Sequence, residues 1–207
     1  TDEYTIAMSS FIGHSLVGAT VGWLTPPVPH QRKLMRVLWG GGLIIVAVLP
    51  DLDYVVPLLH PSANDGLRIT HSLLFAALLP ALTLLGLKFA GVGRKMLKRS
   101  GLLLVLAGFS HLGMDLLVGV TALPLLWPAS DRLFRLPFGL LPSAGKLSWV
   151  NFYFYYNLSI ELGVLLPLIA CIFIRKSSLA AQARWVLIVS LLLVSAGFMH
   201  WAYGLSR

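Results

Sequence analysis

Long apolar stretches dominate this chain, and the polar breaks between them mark out a series of helices of membrane length. Leu73 to Ala90, Gly101 to Val120, Leu158 to Ile174 and Trp185 to Tyr203 are each 17 to 20 residues long and apolar throughout most of their length. About 20 apolar residues in an α-helix cross a hydrocarbon core roughly 30 Å thick. Val37 to Leu49 is shorter, ends at Pro50-Asp51, and is expected to continue through Val55 to Leu59. Phe11 to Leu24 is short and rich in small residues, which makes it the weakest of the six. The pattern therefore predicts an all-α, polytopic membrane helical bundle of about six helices. The longest stretch without a span, Thr121 to Asn157, contains Pro124, Pro128, Pro137 and Pro142, so it is not expected to form one helix. It is expected to fold over the outer face as a partial lid.

Composition supports the membrane reading: the 207 residues are 57% hydrophobic and only 12% charged, with a mean hydropathy of +0.82. Residues 1 to 7 read as an expression remnant ahead of a start at Met8, and residues 8 to 207 as one integral membrane domain. No basic stretch opens the segment after Met8, so no cleavable signal peptide is expected. The net charge of +8 is a topology signal. Arg32, Lys33 and Arg36, then Arg94, Lys95, Lys98 and Arg99, then Arg175, Lys176 and Arg184 form three clusters. Placing all three in the cytoplasm makes the spans alternate and, with Lys88, puts 11 of the 16 basic residues inside. A nucleic-acid partner is not expected from this distribution. The single Cys171 lies within a span, which excludes an intramolecular disulfide.

Against that apolar background the ionisable residues stand out, because such groups are costly in a bilayer and tend to mark a site. A helical rise of 1.5 Å per residue, counted from the nearest inner basic residue, puts Asp51 about 22 Å up, His111 about 18 Å and Asp115 about 24 Å. Glu161 comes out at about 21 Å and His71 at about 26 Å on the same count, and His14 at roughly 18 Å from the Pro26-Pro27-Val28-Pro29 break. Separate segments thus bring polar side chains to one level, in the outer half of the membrane. His111 and Asp115, four residues apart, share one helix face and can hold one metal ion or one another. Asn157 and Glu161 repeat that spacing. Asp51-Leu52-Asp53 follows Pro50, where a helix ends or turns, so one of the two carboxylates can bridge cations. This mixed imidazole and carboxylate set suits zinc, and also manganese or iron.

Several residues have plainer readings. His14 can hydrogen-bond a neighbouring helix, Glu161 can favour a helix start, and Asn157 can act as a cap or an interhelical hydrogen-bonder. His30, His60 and His200 are read as solvated or interfacial. The aromatic run from Trp149 to Tyr156 is read as an interface belt, with a lipid-binding wall as its alternative. Gly40-Gly41-Gly42 lacks the features of a phosphate loop and is read as a close helix contact.

Taken in order, His14, Leu49-Pro50-Asp51-Leu52-Asp53, Thr70-His71-Ser72, His111-Leu112-Gly113-Met114-Asp115 and Leu125-Leu126-Trp127-Pro128 resemble the membrane-bound, YdjM-like family of metal-dependent hydrolases. The likeness runs from His14 to about Glu161. More remotely, the order is similar to the zinc-dependent phospholipase C and fungal zinc nuclease superfamily, whose helices carry His-x-x-x-Asp and His-x-x-x-Glu pairs. His111 and Asp115 match the first pair. Asn157 and Glu161 match the second with Asn in place of His. Gly66-Leu67-Arg68-Ile69 stands where the family has His-Arg-Gly, which makes Arg68 an approximate match.

The resemblance implies a hydrolase using a divalent metal, with His14, Asp51, His71, His111, Asp115, Asp53 and Glu161 as candidate ligands. Asp51 or Asp53 is expected to orient the attacking water or accept its proton, and Arg68 to bind a phosphate group. On the Pro-rich stretch, Arg132, Arg135 and Lys146 are cations that can bind a phosphate or contact lipid headgroups. The expected reaction is phosphoester hydrolysis in a lipid or lipid-linked substrate at the outer face. The alternatives are a metal-dependent amidase or esterase acting on an acyl lipid, and a metal transporter. Oligomeric state is not legible in these residues.

Overall fold

The fold was analysed in a computed structural model that describes residues 9–24, 33–54, 67–144 and 150–205. Residues 1–7, His30, His60, Lys146, Trp149 and the continuation from Val55 to Leu59 lie outside them. Six α-helices occur among the described residues: α1 (Phe11–Leu24), α2 (Lys33–Val48), α3 (Leu73–Phe89), α4 (Arg94–Val118), α5 (Phe152–Ile174) and α6 (Ala181–Tyr203). Short 3-10 turns occupy Leu49–Tyr54 and Ile69–His71, and the only β-feature among the described residues is a bridge between Leu123 and Phe134. The all-α membrane class predicted from the hydropathy pattern is therefore the one found.

Three helices, α4, α5 and α6, are by themselves long and apolar enough to cross a membrane. α1 and α3, apolar but only 14 and 17 residues long, reach roughly 21 and 26 Å. Four helices start earlier than the apolar pattern suggests, α2 and α6 by four residues and α4 and α5 by more. α4 begins at Arg94 rather than Gly101, because Lys and Arg are good helix formers and the cluster Arg94, Lys95, Lys98 and Arg99 simply extends the helix beyond its apolar part. α5 begins at Phe152, capped by Asn151, whose side-chain oxygen accepts from the Tyr153 amide at 3.1 Å. Most of the expected aromatic belt is thus the first turns of a helix.

By their contacts the residues fall into two compact units. One comprises residues 14–114 and 122–134. Its core joins Val21 of α1, Leu43, Val46 and Ala47 of α2, and Leu103, Leu104 and Ala107 of α4, with Trp39, Leu84 and Leu87 packed around them. Two glycines set how closely its helices approach. A Cβ on Gly18 would lie 2.9 Å from the Ala47 Cβ and 3.0 Å from the backbone of Leu43 and Ile44, so α1 rests on α2 through a bare backbone. A Cβ on Gly108 would lie 2.7 Å from the Ala76 carbonyl oxygen. In a regular helix that oxygen accepts from residue 80, which is Pro80 and has no N–H to give. A Cβ on Gly22 would lie 3.4 Å from the Gly40 Cα, so the first glycine of the expected run does face α1, whereas a Cβ on Gly40, Gly41 or Gly42 itself would meet nothing within 4 Å.

The other unit comprises residues 1–13, 115–121 and 135–207. α5 and α6 pair along their length. Gly163 lies against the Phe198 ring, the Ser195 hydroxyl donates to the Val164 carbonyl at 3.0 Å, and Trp201 Nε1 donates to the Tyr156 hydroxyl at 3.0 Å. The Leu140 and Leu141 amides donate to the Leu117 carbonyl and tie the Pro-rich stretch to the end of α4. Asn157, inside α5, donates from Nδ2 to the Ser143 carbonyl at 2.7 Å, which is the hydrogen-bonding reading of that residue. Trp185, Val186, Leu187, Val189 and Leu193 of α6 are exposed, an apolar surface suited to lipid.

Candidate metal centre

α2 gives way to a 3-10 turn at Leu49, where Pro50 removes a backbone donor. The turn places Asp51 at 1% exposure and Asp53 at 9%, while Leu52 between them is half exposed. The second 3-10 turn carries His71, fully buried, just before α3, whose first turn is capped by the Ser72 hydroxyl accepting from the Phe75 amide at 3.2 Å. His111 is fully buried on α4, and His14 fully buried on α1. Within this unit four sequence-predicted residues meet: His14, Asp51, His71 and His111.

Their geometry is specific. His111 Nε2 lies 3.2 Å from His71 Nε2, His71 Nε2 lies 3.4 Å from Asp51 Oδ1, and His111 Nε2 lies 3.6 Å from the same oxygen. His14 Nε2 is 3.8 Å from Asp51 Oδ2, and its ring stacks on His111 at 4.0 Å between centroids. The ligand atoms of His14, Asp51 and His111 all fall within 4.8 Å of one another. Donor atoms about 2.0–2.1 Å from a tetrahedral zinc are roughly 3.3 Å apart, so these separations are those of atoms that share one ion.

Proton bookkeeping leads to the same arrangement. His111 Nδ1 lies 2.7 Å from the Ala47 carbonyl oxygen, an acceptor only, so the ring proton sits on Nδ1 and Nε2 presents a lone pair. Ala47 is in the last turn of α2, where carbonyls lack a full set of helical donors, and in 3-10 register its donor would be Pro50. His71 Nδ1 lies 3.0 Å from the Thr70 hydroxyl oxygen, whose own proton goes to Asp53 Oδ2 at 3.0 Å. The hydroxyl must then accept from His71, and His71 Nε2 also presents a lone pair. Two lone pairs 3.2 Å apart repel unless a positive charge, a metal ion or a shared proton, lies between them. Neither oxygen of the buried Asp51 carboxylate has a hydrogen-bond partner among the described residues, although buried carboxylates are normally satisfied. These residues fit a divalent metal.

Asp53 and Arg68 face each other. Arg68 donates from Nε to Asp53 Oδ2 at 2.8 Å and from Nη2 to Oδ1 at 2.7 Å, a bidentate pair, and Nη2 lies 3.8 Å from Asp51 Oδ1. Arg132 is exposed, its guanidinium 5.5 Å from the centre of the Phe134 ring, and Arg135 is exposed as well. Asp115 lies one turn beyond His111 on α4, on the same helix face. It is 1% exposed, and its Oδ1 accepts from the Ser9 amide at 3.3 Å. Glu161, also 1% exposed, accepts from the Ser10 amide at 3.1 and 3.3 Å. The Ser10 hydroxyl in turn accepts from the Gly13 amide at 2.9 Å, so Glu161 completes a capping arrangement at the start of α1 from a different helix.

Sequence reasoning assigned no role to Thr70, to the Ala47 carbonyl or to the Ser9 and Ser10 amides. Thr70 stood in a quoted motif, and its place next to a candidate ligand was the available signal. No curated protein and no solved structure matches the chain. The family described as YdjM inner membrane protein matches residues 8–203, nearly the whole length. The chain belongs to the YdjM inner membrane protein family.

Proposed function

We propose that this protein is a membrane-embedded, metal-dependent hydrolase that cleaves a phosphoester in a lipid or lipid-linked substrate. The observation that carries the reading is the convergence of the Nε2 atoms of His71 and His111, 3.2 Å apart, on the Asp51 carboxylate. His14, Asp51, His71 and His111 would hold the ion. A divalent ion bound by such a set polarises a phosphoryl oxygen and lowers the pKa of a coordinated water. Asp51 Oδ2, on the side of the carboxylate facing His14, takes up the proton of the attacking water. Arg132 and Arg135, exposed guanidinium groups on the stretch after α4, are suited to bidentate contact with a phosphate. The His-x-x-x-Asp pair at His111 and Asp115, similar to that of zinc-dependent phospholipases, favours phosphorus over carbon as the centre attacked.

The test uses the purified full chain reconstituted in liposomes of mixed lipid extract. Elemental analysis should find at least one transition metal per chain, and His111→Ala should lose it. Phosphorus-containing products should form, chelation should stop their release, and Asp51→Asn should lower kcat by about 100-fold or more with a small change in KM. Fatty acid released from phosphate-free lipids, with no phosphorus product, would move the reading to an amidase or esterase. Metal flux without any lipid product would move it to transport.

A further inference from the structure

Asp53 sits on the far side of His71 from the proposed ion. Its Oδ2 is 3.6 Å from His71 Nδ1, whereas the cluster is built around Nε2 at the other corner of the ring. Both of its oxygens are committed, to Arg68 through two short hydrogen bonds and to the Thr70 hydroxyl. The order of contacts is therefore Arg68, Asp53, Thr70, His71, and each step constrains the next. The guanidinium holds the carboxylate in one plane, the carboxylate takes the single hydroxyl proton, and the hydroxyl lone pair takes the His71 Nδ1 proton. Nε2 is then left deprotonated and pointed inward.

We infer that Arg68, Asp53 and Thr70 form a positioning relay that fixes His71 in its Nδ1–H tautomer, so that Asp53 is not a metal ligand and Arg68 is not a substrate clamp. The inference rests on the metal reading for its purpose and on the hydrogen-bond geometry for its content. His111 has a simpler version of the same device, a single backbone carbonyl. The difference matters because a carboxylate-backed donor strengthens the imidazole as a ligand, while a neutral carbonyl only orients it. A ligand role for Asp53 would require it to give up Arg68 or Thr70. A clamp role for Arg68 would remove the charge that holds Asp53.

The relay is tested by Thr70→Val, which keeps the shape and removes the hydroxyl, with Thr70→Ser as the conservative rescue. Two readouts are taken on the full chain in detergent. One is cobalt affinity by competition with a chromophoric chelator, together with the visible spectrum of the bound cobalt. The other is the tautomer of His71, read from nitrogen shifts of metal-free, histidine-labelled protein. Thr70→Val should weaken cobalt binding about 10- to 100-fold and raise the Nε2–H population of His71, and Thr70→Ser should restore both. Asp53→Asn should weaken binding over the same range while leaving stoichiometry and the cobalt spectrum unchanged. Loss of one coordinating oxygen from that spectrum in Asp53→Asn would make Asp53 a ligand and overturn the inference. A wild-type His71 tautomer in Thr70→Val would overturn it as well. If the wild-type protein binds no metal, the metal reading fails, and the tautomer measurement in metal-free protein still decides the relay.

Discussion

Gly18→Ala tests the link between helix packing and the metal centre with the smallest change available, a single methyl group. That carbon would lie 2.9 Å from the Ala47 Cβ and 3.0 Å from two backbone atoms of α2. Ordinary carbon contacts fall at about 3.5–4.0 Å, so α1 and α2 must separate by roughly 0.5–1 Å. Neither backbone contact can be relieved by a rotamer change. Overpacking of this kind costs about 1–3 kcal/mol, against which alanine gains about 1 kcal/mol over glycine in helix propensity, leaving a net loss of up to about 2 kcal/mol. Gly41→Ala gains the same propensity with nothing within 4 Å to obstruct it, so it is the internal control. Ala47 also supplies the carbonyl that receives His111 Nδ1, and Gly18 lies one turn from His14 on α1. A shift of 0.5–1 Å exceeds the tolerance of about 0.2 Å in metal–ligand distances, so zinc affinity should fall by at least about 10-fold. The assay is thermal unfolding in detergent by circular dichroism, paired with zinc competition. Gly41→Ala should melt at or above wild type, and Gly18→Ala below it. Gly18→Ala melting no lower than Gly41→Ala, with wild-type zinc affinity, would refute the argument.

Two further outcomes follow from other contacts. Glu161→Ala removes the acceptor for the buried Ser10 amide and should cost about 1–3 kcal/mol, whereas Glu161→Gln, which keeps an acceptor oxygen, should lose clearly less. Equal unfolding midpoints for the two variants would count against the capping role. For sidedness, Met96→Cys should be protected and Asp131→Cys labelled by an impermeant outside reagent in a Cys171→Ser background. The reverse pattern would invert the topology.

Hydropathy located the helices well because burial in lipid acts on every residue of a span. It placed helix ends poorly, since lysine, arginine and tyrosine continue a helix without adding to an apolar run; Arg94 and Phe152 are the examples. Residue type singled out His14, Asp51, His71 and His111, because ionisable groups are rare in such segments. It could not assign partners. The Arg68–Asp53 pair joins residues 15 apart in different turns, and only the folded backbone shows that it faces Nδ1 of His71 rather than Nε2. Composition likewise favoured Gly40-Gly41-Gly42 as the close contact. A run of glycines signals permissiveness, while the tightest approach of α1 to α2 falls at Gly18, with Gly22 against Gly40 a turn further on at ordinary contact distance.

The helix α4 carries its basic cluster and His111 on one continuous rod, and that makes it a ruler. A bilayer tolerates a span one residue longer or shorter, since tilt absorbs the difference. The rod does not: one residue inserted between Arg99 and His111 would turn the imidazole by about 100° and carry it about 1.5 Å along the axis, away from the Ala47 carbonyl. Hydropathy would register almost no change. Among related chains, length variation is therefore expected to spare the stretch from Arg99 to His111 and to fall in the connecting loops.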